Sequence, residues 1–169
     1  KYIDTKDFRE VDRVQRSLLQ GYQYDIAYYA TAEEKVKAEK CYLSLAKQLL
    51  DKENHKFQYK EIEHGGRAQK YYSSVEWLLR ADMVQLCKLV TDVRFDLDDY
   101  ARDDFFRAYT TDLSLLMAMK DFSLKQHIVE NTLTGKSQSG IYECAIADAL
   151  YKKGYQIYFY KNETTKREI

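Results

Sequence analysis

Proline is absent from the 169 residues of this sequence. Because proline breaks helices and fixes turns, its absence favours a largely helical chain with few rigid turns. Cysteine is scarce: Cys41, Cys87 and Cys144 lie far apart, are odd in number and form no C-x-x-C pair. This pattern argues against a disulfide framework or a zinc site. It favours a reducing compartment, which we take to be the cytoplasm.

A net charge is also lacking, because 27 Lys and Arg residues balance 27 Asp and Glu residues. The chain therefore has no global basic field to attract nucleic acid, and any such binding needs a local patch. It shows neither a signal peptide nor an apolar run of transmembrane length, so we expect no membrane association. Since the sequence opens at Lys1 and not at methionine, we expect it to be a piece of a longer protein.

The composition that is present is that of a globular protein, 45% hydrophobic and 32% charged, with sixteen tyrosines. Apolar residues spaced by three and four positions predict helices, and alternating or β-branched runs predict strands. The predicted fold class is therefore α+β and mainly helical. The predicted helices cover 6–30, 31–53, 67–83, 112–121, 123–133 and 139–154, the predicted strands cover 84–97, 105–112, 155–161 and 166–169, and a polar loop covers 134–140.

The order of a long helix, a short polar helix, a second long helix and a two-stranded ribbon is typical of a winged-helix module. Thr31 and Glu34 form a capping-box pattern at the start of the first of these helices. We expect both helices to bury one apolar face. The predicted buried residues are Val36, Leu43, Ala46 and Leu50 in the first helix, and Tyr71, Val75, Leu78 and Leu79 in the second.

The start of the second helix is a candidate nucleic-acid-binding surface. In a winged helix this part enters the major groove, and its side chains reach phosphates or base edges. The candidate residues are Lys60, Arg67, Gln69, Lys70 and Ser73, and Ser74 is also expected to be exposed. The alternative is a solvated face on an internal docking module, because Glu53, Glu61 and Glu63 offset the local positive charge.

Glu143 is the candidate catalytic residue. Its helical neighbours are small or apolar, so its carboxylate is expected to cap, to pair with a cation or to bind a metal. The alternative is that Glu143 has only a local role, as a negative charge near the start of its helix that the helix dipole favours. A magnesium site would need a further carboxylate, so we predict no metal or cofactor for this chain alone. Gly135-Lys136-Ser137 also lacks the upstream glycine of a phosphate-binding loop, since Glu130 stands there.

Three segments together resemble one family. They are "GGRAQKYYSSVEWLLRADMVQLCKLV", "FFRAYTTDLSLL" and "GIYECAIADALYKKGYQIYFYKNETTKREI". In order and spacing they are similar to the C-terminal region of prokaryotic predicted AAA-type ATPases, which carries a domain of unknown function with a restriction-endonuclease-like core. Upstream, "KDFREVDRVQRSLLQGYQYDIAYY" is similar to the helical segment that follows the ATPase module in that family.

The resemblance implies roles for individual residues. Asp112 falls on the aspartate of the family's D-x-G-L-L run, with Ser114 where glycine is usual. Glu143 falls on the glutamate of the G-x-x-x-E-N helix, with Cys144 where asparagine is usual, and Asp148 stands near a second acidic position. Glu168 and Ile169 fall on the start of the E-I-D-F strand, whose aspartate would come next.

The resemblance therefore implies a helical linker at 1–32, a winged-helix module at 33–104 and a partial nuclease-like α/β domain at 105–169. The implied function is a non-catalytic C-terminal region of an AAA-type ATPase, for docking or for nucleic-acid recognition. Its partners would be the ATPase module of the parent chain, which would use ATP and Mg²⁺, and DNA. One alternative is a metal-dependent nuclease completed by residues after Ile169, and another is a self-standing winged-helix DNA-binding regulator.

Overall fold

The computed structural model describes residues 2–52 and 55–162, and it shows an α+β fold that is mainly helical. Seven α-helices and three strands are defined in these ranges: α1 (Tyr2–Thr5), α2 (Phe8–Tyr29), α3 (Glu34–Leu50), α4 (Ala68–Arg80), β1 (Val84–Val90), β2 (Ala101–Thr110), α5 (Leu113–Ala118), α6 (Phe122–Val129), α7 (Gly135–Tyr151) and β3 (Tyr158–Tyr160). Two short 3₁₀ turns, Tyr59–Glu61 and Asp98–Tyr100, precede α4 and β2. None of these helices is both long enough and apolar enough to cross a membrane.

The three strands form a mixed sheet in the order β2-β1-β3. β1 and β2 form an antiparallel hairpin, in which Val84 pairs with Thr110. β3 lies parallel to the second half of β1, where Leu89 pairs with Phe159. The segment before α4 runs beside β2, because the Phe57 N–H donates a hydrogen bond of 2.9 Å to a β2 carbonyl.

Alternating side chains of the strands serve two apolar clusters on opposite faces of the sheet. One cluster contains Leu86 and Ala108 together with residues of α2, α3 and α4. The other contains Cys87 and Tyr109 together with the end of α3, α5 and α7. α3 contributes to both clusters, so it forms the centre of the core. The sheet thus joins strands from both predicted segments, 33–104 and 105–169, and the division of the chain at 105 stays a prediction.

The first three long helices and the antiparallel hairpin were predicted, and the structure confirms that they are present. The capping box forms only in part. The Glu34 N–H bonds the Thr31 hydroxyl at 3.3 Å, but the Glu34 carboxylate turns away to Ser73 and Ser74. The predicted buried face of α3 was wrong at Val36 and Leu43, which are exposed because the helix packs through a different stripe.

Three further predictions need correction. In α4, Tyr71, Val75 and Leu78 are buried, but Leu79 is 40% exposed and Ser74 is buried. The predicted strand 84–97 ends at Val90, because residues 91–100 form the hairpin connection. The predicted loop 134–140 is the first part of α7. The predicted strand 166–169 lies outside the described residues.

Candidate functional site

Glu143 is the acceptor at the centre of a polar cluster under α7. Its Oε2 atom lies 2.8 Å from His55 Nδ1, 3.1 Å from the Tyr109 hydroxyl and 3.2 Å from Arg107 Nη1. The Glu143 side chain is 32% exposed and that of His55 is 3% exposed. The carboxylate is therefore held by three donors at the boundary between the core and solvent.

The fold explains why these residues meet. Arg107 and Tyr109 are alternate residues of β2, so both side chains leave the same face of the sheet. α7 packs on that face, and the turn that carries Glu143 lies above them. His55 comes from the segment that follows α3 and passes beside β2. No short sequence pattern links these residues, which come from three separate parts of the chain.

The cluster stabilises Glu143 as an anion. Burial raises the pKa of Glu143, but the hydrogen bond from His55 and the charge of Arg107 outweigh it, so the pKa lies below its usual value. Burial and the adjacent Glu143 charge raise the pKa of Tyr109, which keeps its hydroxyl protonated as a donor. His55 Nε2 is buried and finds no hydrogen-bond partner among the described residues.

Aromatic rings extend the cluster along the sheet. The Arg107 guanidinium lies 4.9 Å from the Phe159 ring centroid, and the Lys56 ammonium lies 3.6 Å from that of Phe105. The two rings are 5.9 Å apart. The direct contacts of Glu143 are on β2 and His55, and the Arg107–Phe159 stack links it to β3.

Two other acidic residues that the resemblance singles out, Asp112 and Asp148, make local contacts away from Glu143. Asp112 caps α5, because its carboxylate accepts from the Ser114 N–H at 2.7 Å. Asp148 is nearly buried and pairs with Lys152 at 2.8 Å. Across 2–52 and 55–162, no three His, Cys, Asp or Glu side chains are grouped so that they could hold a metal ion. Glu168 and Ile169 lie outside the described residues.

The three cysteine thiols are buried and unsuited to nucleophilic work. Burial raises the pKa of Cys41 to about 12 and that of Cys87 and Cys144 to about 11. A thiol at such a pKa is almost wholly protonated near neutral pH, and the thiolate is the reactive form. Cys144 packs with its sulfur 3.5 Å from the Thr110 hydroxyl, which is a core contact.

The candidate nucleic-acid-binding residues gather around the start of α4. Lys60, Arg67, Gln69, Lys70 and Ser73 are all exposed there, and Lys60 and Arg67 line a shallow groove of about 420 Å³. Acidic residues accompany them. Lys70 pairs with Glu63, Ser73 donates to Glu34 at 2.9 Å, and Asp104 lines the same groove. The surface is therefore mixed in charge.

Sequence reasoning missed a second surface, at the hairpin connection between β1 and β2. Phe95 is fully exposed there, and Val93 is 63% exposed. Residues 92–104 contain six aspartates and two arginines. Arg94 pairs with Asp92 at 2.6 Å and Arg102 pairs with Asp104 at 2.7 Å, and the segment keeps an excess of four aspartates over its two arginines. In the sequence, the many aspartates that surround Phe95 could have indicated this surface.

These observations define a mainly helical α+β protein with an anionic Glu143 cluster, a mixed surface on α4 and an acidic hairpin. Residues 1–126, most of the chain, match the model of a family described as Domain of unknown function (DUF8612), and the chain belongs to that family. The matched residues include the hairpin, α4 and three members of the Glu143 cluster, whereas Glu143 itself lies beyond them. Neither a curated protein nor a solved structure matches this chain.

Proposed function

We propose that this chain is a non-catalytic docking module whose β1–β2 hairpin binds a basic surface on a protein partner. The observation that carries the proposal is the fully exposed ring of Phe95 among aspartates. A solvated aromatic ring is a large apolar surface that can be buried on binding, and such residues often dominate interface energies. The surrounding negative charge would steer a basic partner and fix its orientation.

The hairpin is well placed for this role. β1 and β2 pair on both sides of a bulge at residues 103–105, and β1 also pairs with β3, so the hairpin is part of a sheet. Tyr158 of β3 donates to Asp98 at 2.5 Å, and Lys88 pairs with Asp103 at 2.5 Å. These contacts hold the base of the connection. A pre-organised loop loses less entropy when it binds.

Within the α+β fold, we propose that α3, α4, β1 and β2 form a winged-helix module. Its support is the element order and the segment at Phe57, which runs beside β2 as the first strand of a winged helix would. In this arrangement the acidic hairpin is the wing. A wing with this charge would repel DNA phosphates, which favours a protein partner over DNA.

The resemblance to AAA-type ATPases suggests the partner. It would be the ATPase module of a longer prokaryotic protein, a cytoplasmic assembly in which ATP and Mg²⁺ belong to that module. The chain itself needs no cofactor for docking. The nuclease alternative requires a second carboxylate beside Glu143. Among the described residues, the groups that contact Glu143 Oε2 belong to His55, Arg107 and Tyr109, and none of these is a carboxylate.

A site-specific crosslink tests the docking proposal. The photoreactive analogue p-benzoylphenylalanine would replace Phe95 in cells, and Tyr24, which is 75% exposed on α2, would be the matched control position. We expect a crosslink from position 95 to a protein segment, in the parent chain or in another chain and mapped by mass spectrometry, that is missing at position 24 and is lost in an Asp96→Lys/Asp99→Lys background. If the crosslink persists in the Asp96→Lys/Asp99→Lys background, or if position 95 crosslinks to nucleic acid, the proposal is contradicted.

The second candidate function is DNA recognition, which the exposed Lys60, Arg67 and Gln69 favour. Fluorescence anisotropy with a 20-base-pair duplex tests it in the same preparation. If DNA is the ligand, binding should weaken steeply with salt and fall in an Arg67→Glu/Lys70→Glu variant, because phosphate contacts release counterions. Under the docking proposal this double substitution leaves the Phe95 crosslink intact.

A further inference from the structure

The shallow groove of about 420 Å³ at the start of α4, which we call the α4 groove, combines an apolar lining with positive charge. Most of the surface exposed inside it is apolar, and the rings of Phe57 and Tyr59 form part of the lining. Lys60 and Arg67 are its exposed cations, and Asp104 is its acidic residue. The volume lies within the roughly 300–1,000 Å³ of pockets that hold a ligand, so an aromatic ring has room there.

The α4 groove keeps an excess of positive charge because the acidic residues around it already have partners. Asp104 pairs with an arginine of β2 at 2.7 Å. Glu61 and Glu63, which lie next to the groove in sequence, each pair with two lysines. Lys60 and Arg67, in contrast, take part in no ion pair with any residue that the structure describes. The groove therefore offers two unpaired cations beside its apolar lining.

The hairpin of the same chain has the complementary pattern. The ring of Phe95 is fully exposed, and the carboxylates of Asp96 and Asp99 beside it are exposed and in no ion pair with a described residue. An apolar ring between two anions thus matches an apolar groove with two cations, and such complementarity fixes the register of partners. The chain has zero net charge, so no overall repulsion keeps two copies apart.

We infer that the α4 groove receives the Phe95 hairpin of a second copy of this chain. The two surfaces lie on neighbouring parts of the fold, because Asp104 of the groove stands near the start of β2, directly after the hairpin connection. A two-fold axis lets each copy insert its hairpin into the groove of the other. Two short loops bury little surface, so the dimer is weak and reversible. The inference rests on the proposed function, because the hairpin is the docking element in both, and it adds that a second copy covers this element when the ATPase module is not bound.

Analytical ultracentrifugation of the purified chain measures the dimer, which should weaken as salt is added. The groove variant Lys60→Glu/Arg67→Glu and the hairpin variant Asp96→Lys/Asp99→Lys should each weaken it by roughly tenfold or more, because each brings like charges together. An equimolar mixture of the two variants should restore the dimer, since every hairpin again meets a groove of opposite charge. A wild-type chain that stays monomeric up to about 1 mM, or a dimer that neither variant weakens, would overturn the inference.

The matched control is Arg80→Glu/Lys153→Glu, which makes the charge change of the groove variant on exposed residues at the end of α4 and after α7, and it should leave the dimer intact. A crosslink then locates the contact. With p-benzoylphenylalanine at position 95 in a mixture of ¹⁴N and ¹⁵N copies, we expect crosslinked peptides that join the two labels and map to 56–68.

The same crosslink separates this inference from the docking proposal. If the purified chain is monomeric, or if its crosslink maps outside 56–68, while position 95 still crosslinks to another protein segment in cells, the second copy is excluded and the docking proposal stands. If position 95 crosslinks to no protein in either setting, both are refuted.

Discussion

Gly140→Ala tests how closely α7 approaches α3. Gly140 is buried in the second turn of α7, where the two helices cross. A Cβ atom added there would lie 1.9 Å from the Leu49 carbonyl oxygen and 3.2 Å from a Leu50 side-chain carbon. No real carbon approaches an oxygen so closely, and the obstacle is backbone, which no rotamer change can remove. The glycine is thus required for space.

The size of the effect follows from this geometry. Alanine is preferred over glycine in a helix by about 1 kcal/mol, which favours the variant. Restoring ordinary contact near 3.4 Å moves α7 outward by roughly 1.5 Å, and overpacking of this kind costs about 1–3 kcal/mol or more. The shift would also break the 3.0 Å bond from the Ser137 hydroxyl to the Leu50 carbonyl, worth about 1 kcal/mol, and loosen Cys144 against the core. Together these contributions give an expected net loss of about 1–3 kcal/mol.

The assay is urea and thermal unfolding followed by circular dichroism. For a chain of this size the loss corresponds to a fall of about 2–12 °C in thermal midpoint. The matched control is Gly21→Ala in α2, where an added Cβ meets nothing within 4 Å. This control should stabilise by about 0.5–1 kcal/mol, since only the helix preference remains. A Gly140→Ala protein as stable as the wild type would refute the close helix crossing.

Three further predictions use the same unfolding assay. Leu78→Ala should cost about 2–5 kcal/mol because its side chain is buried, whereas Leu79→Ala, at 40% exposure, should cost far less; equal losses would mean that the face of α4 is misassigned. Glu143→Gln should cost about 1–2 kcal/mol at pH 7, because three donors lose an ionised acceptor. In the folded protein the pKa of Glu143 lies below its usual 4.5. The stability difference between Glu143→Gln and the wild type is therefore fully present above pH 4.5 and should disappear as the pH falls through the pKa of the folded state. A difference that does not change with pH would exclude an ionic role. Phe95→Ala should leave the thermal midpoint unchanged, because its ring touches solvent alone, and a measurable loss would place Phe95 in the fold and not at an interface.

Helix periodicity predicted α2 and α4, which each bury one face, and alternating or β-branched residues predicted the hairpin, whose two faces are both covered. The same reasoning failed for α3. This helix packs against α2, α4 and α7, so it buries residues around most of its circumference. Tyr42 and Cys41 are buried while Val36 and Leu43 are exposed, and no single apolar stripe identifies that pattern. Burial on several sides removes the periodic signal on which such predictions depend.

The Glu143 cluster was predictable only in part. A carboxylate among small apolar residues indicated a partner, and a cation was one of the predicted partners. The identity of that partner depended on strand register and on where the segment after α3 passes. Arg107 and Tyr109 face Glu143 because the register of the hairpin places both side chains on the α7 side. Contacts between residues so distant in sequence are set by tertiary packing, which no local pattern encodes.

The distribution of charge bears most directly on function. Zero net charge suggested a surface without a strong field, but the structure separates the charges in space. Asp96 and Asp99 stand at the hairpin beside Phe95, where the field is negative, whereas Lys60 and Arg67 sit at the start of α4. Fields of exposed charges fade within about 8–10 Å in physiological salt, so a ligand responds to the local surface and not to the total. The exposed aromatic ring lies on the negative side, which supports our proposal that the hairpin binds a positively charged protein surface.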